Sequence, residues 1–176
     1  VDIKGHVEQV DFDERVLALR IEDISLDEGD IEALANDDVL LGNLALKGTL
    51  AGPLSDLSAH LDVVTPGGPL AIDAWVDITA EPLAWKAGVA TAGLDVEKVT
   101  PLVPQATHLN IEASAEGAGT DPTTDMRAQF SVNARDQVIF DEVLPELSVG
   151  GRLDSGVVHL EEFAAVHSAA RVSAKG

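Results

Sequence analysis

Apolar residues occupy every second position along most of the chain, and this alternation constrains the fold more than any other feature. Successive side chains of a β-strand point to opposite faces, so the pattern predicts strands with one apolar and one polar face. The runs 57–63 (LSAHLDV) and 70–76 (LAIDAWV) are examples. Short segments rich in Gly, Pro, Asp and Asn separate such runs, which predicts consecutive antiparallel pairing.

Two segments have helical spacing instead. Residues 27–38 (DEGDIEALANDD) place apolar side chains at i, i+3 and i+4, with Asp30 as a candidate N-cap. Residues 93–103 (GLDVEKVTPLV) predict a short helical turn that begins near Asp95 and ends at Pro101. Both segments are brief, so they are inserts in a chain of strands.

The sequence therefore predicts an all-β fold, a long antiparallel β-meander curled into an open groove with one or two short helical inserts. The apolar phase shifts between Ile21 and Ile24, which predicts a β-bulge. A closed β-sandwich, whose apolar faces would pack against each other as a core, is the alternative.

One stretch of the sequence returns later in the chain. Residues 52–63 (GPLSDLSAHLDV) match residues 121–132 (DPTTDMRAQFSV) at an offset of 69, whereas the strands before these turns match at 65. The second turn is thus expected to be four residues longer. Repeats of this kind are typical of extended arrays. We expect a single repetitive domain over 1–176, with units at about 40–104 and 105–176, taken from a larger protein; chance similarity between two hairpins is the alternative.

The charge of the chain limits its partners. Eleven basic and thirty-one acidic residues give a net charge of −20, which disfavours nucleic acid and anionic lipid headgroups. An acidic, solubilising outer face accounts for this charge, and a docking strip for a basic partner is the less favoured interpretation. The sequence contains no run of 18 apolar residues, so it does not predict a membrane-spanning helix.

No catalytic, cofactor or metal motif is recognisable, and we expect a protein that is not an enzyme. Aromatic residues make up only 3% of the chain and Cys is absent, which excludes disulfides and thiolate metal sites. The five histidines lack metal-ligand spacing, and His60, His108 and His159 are expected on the polar face. The acidic clusters at 11–14, 27–30 and 36–38 do not match a calcium-binding loop, so a loose calcium site is the weaker interpretation.

The remaining candidate site is the apolar face itself. Its aliphatic side chains would suit acyl chains if the sheet is an open groove, and would be core residues if it is closed. The residues predicted to line the groove are Leu44, Leu46, Leu57, Leu61, Val63, Leu70, Ile72, Val76, Ile78, Leu83, Trp85, Val89, Leu109, Ile111, Met126, Phe130 and Val132.

The sequence pattern of these strands resembles that of the AsmA-like superfamily, which includes the TamB translocation-and-assembly proteins. It is carried by L-x-L-x-G…G-x-x-x-D-L-x-A-x-L-x-V over 44–63 and by L-x-I…G-x-G-x-D-P-x-x-D-M-x-A-x-F-x-V over 109–132. The segments AEPLAWKAGVATAGLDVEKVTPLVP at 80–104 and GGRLDSGVVHLEEFAA at 150–165 resemble the family's strand-and-insert unit and its closing hairpins. The resemblance covers most of 40–176 and is weaker over 1–39.

The resemblance implies a β-taco, a long curled sheet with a hydrophobic groove. It also implies a periplasmic protein of the cell envelope, anchored in the inner membrane outside this segment. The implied function is to bind or conduct phospholipids between the inner and outer membranes, to assist outer-membrane protein assembly, or both. The expected partners are phospholipid acyl chains and an outer-membrane assembly protein. A non-catalytic β-sandwich surface or protein-interaction module is the alternative function.

Overall fold

The computed structural model describes residues 2–11, 16–27, 29, 42–100, 102, 107–139, 142–167 and 170–176. For residues 2–11 it describes the backbone and its strand pairing but not the side chains. These residues form thirteen β-strands and one 3-10 turn. The strands are β1 (Asp2–Asp11), β2 (Val16–Leu26), β3 (Leu44–Pro53), β4 (Leu57–Thr65), β5 (Gly68–Asp77), β6 (Ala84–Leu94), β7 (Thr107–Ala118), β8 (Arg127–Ala134), β9 (Val138–Ile139), β10 (Glu142–Val143), β11 (Glu146–Asp154), β12 (Val157–His167) and β13 (Ala170–Lys175). The prediction of an all-β fold is confirmed.

Eleven of the strands lie side by side in one antiparallel sheet, in the order β1 to β8, then β11, β12 and β13. The two-residue strands β9 and β10 form a small hairpin attached to the start of β7. The edge strands β1 and β13 do not pair with each other, so the sheet is not closed within the described ranges. The predicted open meander is therefore confirmed.

Burial separates this sheet from a closed sandwich. Among the described hydrophobic side chains only Leu57 and Ala134 are buried, each 8% exposed, and no large side chain is fully buried. A sandwich would enclose whole rows of large side chains between its two sheets. The closed β-sandwich alternative is wrong for the described part of the chain.

The predicted bulge lies in β2. Ile21 pairs with Gly48 and Ile24 pairs with Leu46, so β2 has one residue more than β3 between these pairs. The extra residue moves Ile24 back onto the face that Ile21 occupies, which is why the apolar phase shifts in the sequence.

The inserts follow the sequence in part. A 3-10 turn over Val96–Lys98 has Asp95 as its N-cap, so the predicted turn near Asp95 is confirmed. Thr107 fixes it, because its backbone N–H donates to the Asp95 carboxylate (3.0 Å) while its hydroxyl oxygen accepts from the N–H of Val96 (2.7 Å). The hydrogen bond from Thr107 also lowers the pKa of Asp95. Pro101, the predicted helix at 27–38 and the three acidic clusters lie outside the described residues, apart from positions 11, 27 and 29.

The two hairpins that contain the matching stretches, β3–β4 and β7–β8, have different registers. Gly48 of β3 pairs with Leu61 of β4, while Ala113 of β7 pairs with Val132 of β8. Leu61 therefore corresponds to Val132, two residues beyond the Phe130 that the sequence match gives it. The longer loop over 119–126 absorbs the two residues, and the side chains keep their face because the strand period is two. The boundary predicted between the units at 40–104 and 105–176 falls between β6 and β7, which pair with each other.

Candidate apolar binding face

The register brings the apolar side chains of neighbouring strands into rows that cross the sheet. Residues paired across antiparallel strands point to the same side, so each row can be followed from strand to strand. We call the side that carries these rows the apolar face. Its most continuous row is Ile21, Gly48, Leu61, Ile72, Val89, Ala113, Val132, Val149 and Phe163.

Fourteen of the seventeen predicted lining residues lie in strands with this phase and share the apolar face. The other three lie just beyond strand ends. Ile78 follows β5 and is 49% exposed, Leu83 precedes β6, and Met126 precedes β8. The face also includes side chains on β2, β11 and β12 that are absent from the predicted set, among them Leu19, Leu147 and Val149.

The width of the face is set by the number of strands. From β2 to β12 there are eight spacings along the sheet, which at about 4.8 Å each gives roughly 38 Å. The hydrocarbon core of a bilayer is about 30 Å thick and two acyl chains deep. One extended acyl chain therefore needs only part of the face.

Large side chains on the apolar face lie over glycines of the neighbouring strand. A Cβ at Gly48 would lie 2.6 Å from Cδ2 of Leu61, and a Cβ at Gly151 would lie 2.8 Å from Cζ of Phe130. These contacts bury part of Leu61 and Phe130 without a second sheet. They also explain why glycine occupies these two positions, which face the apolar side of the sheet and would otherwise carry an apolar side chain.

The opposite face is built from cross-strand polar pairs. His60 Nδ1 lies 2.6 Å from the carboxylate of Asp73, and Lys86 Nζ lies 2.9 Å from that of Glu116. The hydrogen bond to Asp73 raises the pKa of His60, and the charge of Asp73 adds to the effect. This surface gives the sheet a solvated side opposite the apolar face. The predicted placement of His60, His108 and His159 on it is confirmed, because all three are exposed and out of phase with the apolar rows.

The two tryptophans of the chain lie on opposite faces. Trp85 pairs with Val76 on the apolar face, and its indole N–H donates to the carbonyl oxygen of Gly119 at 3.1 Å. Trp75 lies on the polar face, where its indole N–H donates to the carboxylate of Asp56. Trp75 is absent from the predicted set. The sequence does indicate its position, because Trp75 is an aromatic residue that falls between the apolar positions of β5 and therefore on the opposite face.

Comparisons with known proteins leave the family of the chain open. No family model, no curated protein and no solved structure matches it. In the ranges that the structure describes, no helix has the length and apolar character needed to cross a membrane. No group of three His, Asp or Glu residues in the same ranges could hold a metal ion.

Proposed function

We propose that the chain is a segment of an AsmA- or TamB-like envelope protein whose apolar face holds or conducts phospholipid acyl chains between the inner and outer membranes. In the same proposal the segment also assists outer-membrane protein assembly. The observation that carries it is the wide apolar face, which no second sheet covers in the described part of the chain. The proposed location in the cell envelope rests on the resemblance in sequence pattern.

The energetics support this use of the face. An acyl chain that leaves a bilayer exposes its methylene groups to water at about 0.8 kcal/mol each. A row of aliphatic side chains offsets that cost along its whole length. The in-phase strand positions carry no charged side chain between Leu57 and Trp85, so nothing on this stretch fixes an acyl chain at one position. Such a surface suits sliding or transfer better than tight, specific binding.

A protein-interaction module remains the second candidate, and the edge of the sheet favours it. Val158, Leu160 and Val172 on the last two strands are 60%, 59% and 60% exposed, and the outer edge of β13 has no strand beside it among the described residues. A strand from an outer-membrane client could pair with such an edge.

Single-tryptophan variants test the proposal, because each tryptophan reports on one face. A phospholipid with brominated acyl chains should quench the fluorescence of Trp85 in a Trp75→Phe variant. It should quench Trp75 in a Trp85→Phe variant several-fold less. Equal quenching of the two residues, or none of Trp85, would contradict acyl-chain binding at the apolar face.

A further inference from the structure

The polar face contains an open depression of about 570 Å³ that crosses β3 to β7. Gly88 of β6 contributes no side chain there, so backbone forms part of the floor. Around it stand Trp75, the His60–Asp73 pair and the Lys86–Glu116 pair. The volume falls within the roughly 300–1,000 Å³ of ordinary small-ligand sites.

The charges around the depression favour a neutral ligand. Asp73 and Glu116 are each paired with a basic group, so the walls offer donors and acceptors with little net charge. The net charge of −20 on the chain disfavours an anion. Each carboxylate of these two pairs already has a basic partner, which a small cation would have to displace. A ligand with several hydroxyl groups matches walls that both donate and accept hydrogen bonds.

Trp75 supplies an aromatic surface beside these polar groups. Its indole N–H is held by Asp56, and its cross-strand neighbour on β4 is the small residue Ser58. The short Ser58 side chain leaves room for a ligand beside the ring on the β4 side. On β6 the cross-strand partner of Trp75 is Lys86, and the ring is partly exposed. The negative π-face of an indole attracts the polarised C–H bonds on one side of a sugar ring, while the ring hydroxyls turn outward to polar groups.

We propose that this depression binds a neutral carbohydrate of one or two rings, independently of the apolar face. Trp75 stacks against a sugar ring, while Asp73 and Glu116 accept hydrogen bonds from its hydroxyls. Lys86 and the Ser114 hydroxyl, which also lines the depression, donate to them.

The test is a titration of the chain with cellobiose, maltose and di-N-acetylchitobiose, followed by ¹H–¹⁵N NMR. At least one disaccharide should shift the indole signal of Trp75 and the amide of Gly88. Gly88→Val should weaken that binding at least tenfold by filling the depression. The fold should persist, because a Cβ at Gly88 meets only the carbonyl oxygen of Ala113 at 3.8 Å. Ala90→Val, on the same strand and face, should leave binding unchanged.

Two results would overturn the proposal. These are no shift with any of the three sugars, and equal sugar binding by the Gly88→Val variant. The test does not depend on acyl-chain binding, which involves the opposite face. The lipid proposal and the sugar proposal can therefore fail separately.

Discussion

Leu61→Asp is expected to weaken acyl-chain binding at least tenfold while the sheet stays folded. Leu61 lies in the most continuous apolar row, between Gly48 and Ile72. A carboxylate there would have to lose water when an acyl chain covers it, and no basic group in that row could pair with it. A cost of only about 1.4 kcal/mol already corresponds to tenfold in affinity. The fold should lose about 1–3 kcal/mol of stability, because Leu61 is only partly buried.

The measurement is the affinity for a fluorescent fatty acid, with circular dichroism as the check on folding. Val64→Asp is the matched control, because Val64 lies on the same strand, faces the polar side and is 58% exposed. It introduces the same charge and should leave binding unchanged. Phe130→Asp should reproduce the loss from a second strand. Equal affinities in the Leu61 and Val64 variants would contradict the assignment of the binding face.

Gly151→Ala is expected to destabilise the fold by about 1–3 kcal/mol, although it adds a single methyl group. A Cβ at this position would collide with the carbonyl oxygen of His159 and lie 2.8 Å from Cζ of Phe130. A carbonyl held in a sheet cannot move away cheaply. Chemical denaturation that follows the β-sheet signal measures the loss.

Gly150→Ala is the matched control for this prediction. Gly150 is the preceding residue in β11, but a Cβ there would meet its nearest atoms at 3.8 Å. Alanine should therefore be neutral or stabilise the fold by up to about 1 kcal/mol through the reduced entropy of the unfolded chain. Equal stability of the two variants would contradict the close approach of the His159 carbonyl and of Phe130 to Gly151.

The faces of the strands were predictable from sequence because side-chain direction alternates with a period of two. Leu61, Ile72 and Val132 needed only this period to be placed on one face. The register was not predictable to the same degree. A slide of two residues leaves every side chain on its face, so the match of Leu61 to Phe130 instead of Val132 left no trace in the apolar pattern. The register is decided by the longer loop before β8. In that loop the Asp125 carboxylate accepts from the backbone N–H of Asp121, and the Asp121 carboxylate accepts from the backbone N–H of Thr123.

The cross-strand pairs on the polar face could not be predicted from the sequence for a related reason, although the histidines themselves could be placed on that face. His60 and Asp73 are 13 residues apart, and Lys86 and Glu116 lie on strands separated by the insert. Only the pairing of strands brings each couple together. The depression depends further on Gly88 and Trp75 lying on neighbouring strands, which no local pattern indicates. The openness of the sheet likewise depends on whether its edges meet, which alternation alone does not decide.

The lipid content of the chain, purified without detergent from a bacterial host, tests the central claim most directly. Mass spectrometry should find phospholipid with the unaltered chain and with Val64→Asp, and much less with Leu61→Asp. Absence of phospholipid from the unaltered chain, or the same amount in all three proteins, would contradict an apolar face that holds acyl chains.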